Sequence, residues 1–288
     1  MSEHFTGFRT YEVSGSLIEQ LHQTDVLPKW DGRYTLYPNL YVELRDELSA
    51  KHTVLGRVDK TGTHIKKLRD TNRSISGISS RNREQVFAID ALMDDKITTV
   101  ILTGSAGTGK TILALAAAME KIQKRIYKKV ILTRPMSHVG KHSLGALPGD
   151  AQEKFSPYLL NYITNMEQFG DGSRDIAWDM VNQYRFELVP PQLLRGASFK
   201  DSLIIADEVQ IFDHMEILTL GTRVGENSKI IIMGDLNQRD ERIAKDKTGI
   251  YKMMNDKIAK ESDLVAAIEL QQCERSPTAK LFSSIFEE

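Results

Sequence analysis

The sequence predicts an α/β fold: a core on a mostly parallel sheet, preceded by a small β-rich module. Three observations predict it. Short runs dense in β-branched residues, at 99–103, 129–133, 203–206 and 229–233, alternate with helical stretches. A glycine-rich turn joins the first of these runs to an alanine-rich helix. Ahead of residue 75 the pattern is different, with period-two alternation in place of long helical repeats.

The elements follow in order. Residues 1–30 carry weak signals. In 34–44, Leu36, Pro38, Leu40, Val42 and Leu44 share one side of an extended chain. Residues 54–58 and 64–68 read as two strands turning near Lys60-Thr61-Gly62, so 1–75 is expected to form the small module. Asp70 to Ser80 is polar and rich in Gly and Ser, as a linker would be, and the core is placed at 76–288. Asn82 to Leu92 should be helical, with Val86, Phe87, Ile89 and Leu92 turned inward. Strand 99–103 and helix 112–119 come next, then strand 129–133 and a helix over 152–166. A short strand is expected at 185–189, a buried one at 203–206, a helix at 213–220 and a strand at 229–233. Residues 264–270 could add an edge strand, and Pro277 starts a last helix.

Composition narrows the function. With 288 residues, 41% apolar, the chain is long enough for one substantial α/β domain plus a small extra module. A formal net charge of -1 shows no global nucleic-acid footprint, although a local basic groove would suffice. The lone cysteine, Cys273, excludes an internal disulfide framework and a cysteine-rich zinc site. No run approaches the roughly 20 apolar residues of a membrane span, and the first residues lack the pattern of a secretion signal. The expectation is a cytoplasmic protein with no membrane partner.

The turn after strand 99–103 is Gly104-Ser105-Ala106-Gly107-Thr108-Gly109-Lys110-Thr111, a complete P-loop between a strand and a helix. Its amides and the helix N-terminus can surround phosphate oxygens. Lys110 would reach the β and γ phosphates, and the Thr111 hydroxyl would bind Mg²⁺. Strand 203–206 runs into Asp207-Glu208. Asp207 suits the same Mg²⁺, and Glu208 suits polarisation of an attacking water. Paired acids favour hydrolysis over storage of a nucleoside triphosphate. Strand 229–233 ends in Gly234-Asp235-Leu236-Asn237-Gln238, where Gln238 could sense the γ phosphate. Gln85, upstream, carries an amide that suits an adenine edge without excluding guanine.

Taken together, these motifs resemble the PhoH-like ATPases, and most of all the ATPase half of their two-domain members. The resemblance spans about residues 35–288. It includes Arg81-Asn82-Arg83-Glu84-Gln85, the P-loop, Thr133-Arg134-Pro135, Leu147-Pro148-Gly149-Asp150 and Gln152-Glu153-Lys154. It continues through Ala206-Asp207-Glu208-Val209-Gln210, Thr222-Arg223-Val224-Gly225-Glu226, Gly234-Asp235 and Glu274-Arg275-Ser276-Pro277. It implies a RecA-like P-loop NTPase core, ATP and Mg²⁺ as cofactors, assembly into rings, commonly hexamers, and an RNA helicase or RNA-remodelling activity. It strengthens the adenine role of Gln85. RNA cleavage is not expected, because the N-terminal segment is short for the family's nuclease. One departure is Arg195-Gly196-Ala197-Ser198, where the family usually carries Arg-Gly-Arg.

A single-core ATPase can take a γ-phosphate arginine from a neighbouring subunit. Arg275 is the first candidate and Arg223 the second, while Arg134 is placed to touch phosphate or nucleic acid. For single-stranded RNA, the candidate basic groups are Gly140-Lys141-His142, then Lys66, Lys67, Arg69 and Arg73, then Lys121, Lys124, Arg125, Lys128 and Lys129. Tyr34, Tyr37, Tyr41 and Phe186 could stack bases only if exposed, and core packing is the simpler expectation. A protein-remodelling ATPase and a structural nucleotide-binding module are the competing readings.

Overall fold

The elements of the computed structural model, which describes residues 5–27, 35–135, 151–169, 172–238, 244, 247–274 and 276–286, run in two groups along the chain. The first is β1 (Phe8–Val13), α1 (Gly15–Thr24), β2 (Val26–Leu27), β3 (Tyr41–Asp46), β4 (Thr53–Val58) and β5 (Ile65–Lys67). These strands form one small sheet in the order β1-β3-β4-β5-β2, parallel only between β1 and β3. A hairpin follows, β6 (Ser74–Ile75) and β7 (Ile78–Ser79). The second group is α2 (Arg83–Met93), β8 (Thr99–Gly104), α3 (Lys110–Gln123), β9 (Lys129–Thr133), α4 (Ala151–Met166), α5 (Arg174–Gln183) and β10 (Phe186–Leu188). It ends with β11 (Ser202–Ala206), α6 (His214–Gly221), β12 (Lys229–Gly234), α7 (Gly249–Asn255), α8 (Lys257–Glu261), β13 (Val265–Leu270) and α9 (Pro277–Phe286).

The second group builds a parallel sheet of six strands in the order β10-β9-β11-β12-β8-β13. Its strands are apolar on both faces, as a sheet covered on both sides requires. Val100, Leu102, Val130, Leu132, Leu203, Ile205, Ile231 and Met233 pack with α2, α3 and α4. The alternate residues Ile101, Ile131, Ile204, Ile230 and Ile232 pack with α6 and α7. The two layers and the parallel sheet are those of a RecA-like P-loop core with a small module attached. Strand 264–270 takes the edge position beside β8.

Strand order positions the site. The P-loop strand β8 and the acidic strand β11 are separated by β12. Two inter-strand steps are about 10 Å, room for a phosphate group and a cation between the two strand ends. β12 ends in Gly234, which places no side chain in that gap.

The small module is fastened to the β13 edge. The Glu269 amide donates to the Thr6 carbonyl at 2.8 Å, and Asn39 Nδ2 donates to the carbonyls of Asp263 and Val265. The Tyr41 ring stacks on Phe87 of α2 at 4.9 Å, and its hydroxyl donates to Asp90.

Two stretches depart from the sequence expectations. Residues 70–80 do not hang free as a linker. Ser76 and Gly77, both at positive φ, make the tight turn of the β6–β7 hairpin. Ile75 is fully buried, and Ser76 Oγ donates to the Ala116 carbonyl on α3. The weak signals of the first 30 residues conceal β1 and α1. Pairing of β1 with β3, Phe8 opposite Tyr41, is what makes it a strand. That pairing is remote in sequence, so local pattern does not reveal it.

Candidate functional site

Backbone constraints build the P-loop first. Gly104, at φ +140°, ends β8 so close to β13 that a Cβ there would lie 2.1 Å from the Leu270 carbonyl oxygen. Gly109, at φ +97°, is the N-cap of α3. It offers no capping side chain, so the first-turn amides of a 14-residue helix are left for an anion. Inside the loop, the Thr108 hydroxyl donates to the Ser105 carbonyl at 2.9 Å. Lys110 Nζ folds back onto the carbonyls of Gly104 and Ser105, at 2.7 and 2.8 Å. The loop is braced from outside as well. The Glu274 amide donates to the Gly107 carbonyl at 2.9 Å, and Cys273 Sγ lies 3.7 Å from the Ala106 carbonyl.

Across the gap, β11 delivers Asp207 and Glu208. Asp207 is almost fully buried, and its Oδ1 accepts from the Glu208 amide at 3.0 Å. Its Oδ2 is buried with no hydrogen-bond partner among the described residues. Burial, then the neighbouring Glu208 charge, pushes its pKa up to about 6, against the pull of Arg134 and Lys110. Glu208 holds a left-handed backbone, φ +56°, which turns the chain sharply after the strand. Its carboxylate accepts from Gln210 Nε2 at 2.6 Å. Beyond β12, the Asp235 carbonyl accepts the Gln238 amide at 3.0 Å, which forms the turn that carries Gln238.

These groups share one cleft of about 320 Å³. Ala106, Gly107, Gly109, Lys110 and Thr111 form one wall, Asp207 and Glu208 another, and Asp235 and Gln238 a third. Among the described residues no three or more His, Cys, Asp or Glu side chains are placed to hold a metal ion by themselves. A cation here would therefore draw on a ligand's own oxygens. The orphaned Asp207 oxygen and the Thr111 hydroxyl at the same cleft fit a phosphate-borne Mg²⁺.

The remaining sequence candidates lie elsewhere. Gln85 sits behind the loop, buried, its Nε2 donating to the Thr108 carbonyl at 3.1 Å and its Oε1 accepting from the Arg81 amide at 2.8 Å. Arg134 follows β9 and acts electrostatically on Asp207. Arg223 lies toward the opposite end of the sheet, where it donates to the Ala197 carbonyl beside the Phe199–Val224 bridge. Arg275 and the 140–142 segment fall outside the described residues. The other basic groups are largely opposed by carboxylates. Lys67 and Arg69 face Asp25, Arg73 and Lys124 face Glu120, Lys128 faces Asp201 and Lys129 faces Glu187. Lys121 is buried. Tyr41 and Phe186 are buried too, which removes them as stacking platforms.

Sequence reading missed Asn161 and Asn165, which line the cleft from α4, and Tyr162 beside them. The Tyr162 hydroxyl is fully buried and approaches Asp207 without reaching hydrogen-bond geometry. Burial and the Asp207 charge hold its pKa well above the usual phenol range. Helical periodicity placed this helix but not which of its polar residues would turn toward the acids.

Residues 77–287 match the family model described as PhoH-like protein. Curated relatives include Protein PhoH2 of Bacillus subtilis, 36% identical over 83% of this chain and 54% of its own length. Protein PhoH2 of Mycolicibacterium smegmatis is 34% identical over 75% of this chain and 49% of its own. Protein PhoH2 of Thermobispora bispora is 33% identical over 84% and 54%. The chain thus spans about half the length of these relatives.

Proposed function

The chain belongs to the PhoH-like protein family, and from that premise we propose that it is a Mg²⁺-dependent ATPase that remodels RNA. The observation that carries the hydrolytic part is convergence: the P-loop, Asp207, Glu208 and Gln238 reach one cleft from three parallel strands. The α3 N-terminus and loop amides take the phosphates. Lys110 exchanges its loop carbonyls for β and γ oxygens. Thr111 and Asp207 would hold Mg²⁺, which would supply charge neutralisation on the phosphates. Glu208 orients the attacking water, and Gln238 reports the γ phosphate to the turn after β12. Gln85 is assigned to the base. Taking it would release the Thr108 carbonyl and so shift the loop.

Arg223 lies toward the other end of the sheet from its own cleft, so a γ-phosphate role for it is assigned to a neighbouring subunit of a ring, which we take to be a hexamer; Arg275 is kept as the first candidate for that role. Among the described residues no helix is long and apolar enough to cross a membrane; a cytoplasmic site of action is part of the proposal. Arg134 beside the acids supports a link between nucleic acid and hydrolysis. The carboxylates opposing the other basic groups favour the second reading, a protein-remodelling ATPase indifferent to polymer.

Phosphate release from ATP, with no polymer, with single-stranded RNA and with single-stranded DNA, separates the two. Stimulation by RNA, lost in Lys110→Ala and Glu208→Gln, is the expected result. Turnover that neither polymer changes would replace RNA with a protein substrate.

A further inference from the structure

Resting on the ATP-hydrolysis reading above, we infer that Gln210 is a positioning residue that locks the Glu208 carboxylate to the γ-phosphate-sensing turn after β12. Gln210 sits in the short 3-10 turn Val209–Ile211 and is 2% exposed. Both ends of its amide are engaged. Nε2 donates to Glu208 Oε2 at 2.6 Å, and Oε1 accepts from the Asp235 amide at 3.1 Å. The partners settle the orientation, since a carboxylate only accepts and a backbone amide only donates. The space is fitted to this arrangement. A Cβ on Gly234 would stand 2.8 Å from Gln210 Oε1, so the strand must end without a side chain for the amide to reach across.

The strut joins the two parts that must act together. On one side is the carboxylate assigned to the water. On the other is Asp235, whose Oδ1 accepts the Asn237 amide and whose carbonyl accepts the Gln238 amide. A shift of the Gln238 turn on γ-phosphate binding pulls on the Asp235 amide, and through Gln210 on the Glu208 carboxylate. Among the described residues this is the one hydrogen bond on the Glu208 carboxylate, whose backbone is left-handed. Without it, a bound nucleotide is held as before, but the carboxylate is free to leave the line of attack.

Two substitutions divide the strut. Gln210→Met removes both bonds with nearly the same volume. Gln210→Glu keeps an acceptor for the Asp235 amide while setting a second carboxylate against Glu208. Both should lower kcat for ATP on the order of 10- to 100-fold, with KM and the Kd for ADP within about twofold. Hydrogen exchange at the Asp235 amide should accelerate in Gln210→Met and stay slow in Gln210→Glu. In a Glu208→Gln background, Gln210→Met should lower kcat no further, because the residue acts through Glu208. Unchanged kcat in folded Gln210→Met, or an equal further loss in the Glu208→Gln background, overturns the assignment while leaving ATP hydrolysis standing. A wild-type protein with no turnover overturns both.

Discussion

The two ends of the parallel sheet bury polar groups in opposite ways. At the end where the strands begin, two lysines are buried and satisfied. Lys229 Nζ donates to the carbonyls of Ala91 and Asp94 at 2.8 Å each. Lys121 Nζ donates to the Met93 carbonyl at 2.7 Å and pairs with Asp95. Together they cap the C-terminus of α2, where positive charge is favoured. At the end where the strands finish, Thr103 Oγ1, Thr133 Oγ1, Arg134 Nε, Tyr162 OH and Asp207 Oδ2 are all buried with no hydrogen-bond partner among the described residues, against Arg223 Nε alone near the end where they begin. An unsatisfied buried polar group costs roughly 1–3 kcal/mol. Their concentration where the strands finish coincides with the cleft between the P-loop and the acids, where the proposed nucleotide and Mg²⁺ would supply the missing partners.

The contrast predicts that substitutions at the two ends have opposite signatures, and the largest effect is catalytic. Glu208→Gln should lower ATP turnover about 10³-fold with melting temperature little changed, read by phosphate release and thermal unfolding together. A variant that lost both would erase the distinction between the ends. Next in size, Lys229→Ala should cost about 2–4 kcal/mol of stability and leave kcat intact below its melting point. Its pH dependence follows from the lysine itself, whose pKa burial and the Lys121 charge push down to about 7. Below pH 7 the cost of burying the cation is fully present. Between about 7 and the unfolded value near 10.5 the folded state sheds the proton first, and stability rises. Urea unfolding from pH 7 to 10 should thus show wild type gaining on Lys229→Ala, and a flat difference would refute the assignment.

Asp207→Asn should do the reverse. The Asp207 pKa is raised to about 6, so above pH 6 its ionised form weakens the fold, by up to about 3 kcal/mol. The amide should raise the melting temperature at pH 7.5 while removing Mg²⁺-dependent turnover. As pH falls from 6 toward 4, the carboxyl takes up its proton and the advantage of Asn should shrink. A less stable Asn variant would mean that the carboxylate supports the folded state. The smallest effect belongs to the exposed pair Lys128–Asp201, 2.6 Å apart with the lysine largely in solvent. Lys128→Ala should change stability by less than about 1 kcal/mol, in a measurement that also sets the noise floor for the other comparisons.

How much of this was legible follows from where the information lies. The P-loop could be read because its chemistry is contiguous: eight residues carry the loop, the lysine and the hydroxyl, between a strand and a helix that announce themselves. Asp207 and Glu208 were legible for the same reason, at the end of a run too apolar to be anything but a buried strand. Gln85 had the right chemistry and place in the motif order, but pattern could not show that both ends of its amide would be engaged inside the chain. Tyr162 gave no local signal of a role, and Gln210 stood in a motif that did not say what it would touch, because each acquires its contacts from a neighbour on another element.

By itself the sequence determined the class of fold and the place of the P-loop between a strand and a helix, since hydrophobic period and a contiguous turn motif are local properties of a chain. It also determined that Lys229 begins a buried strand, though not what would meet its charge there. Only the tertiary structure decided that β12 would lie between β8 and β11, which sets the loop and the acids across one cleft. The small module's first strand, the anchored hairpin and the tie from Glu208 through Gln210 to Asp235 were decided there too. The reason is the same in each case. Strand order and side-chain hydrogen bonds join residues far apart along the chain, and they exist only once the intervening elements have packed.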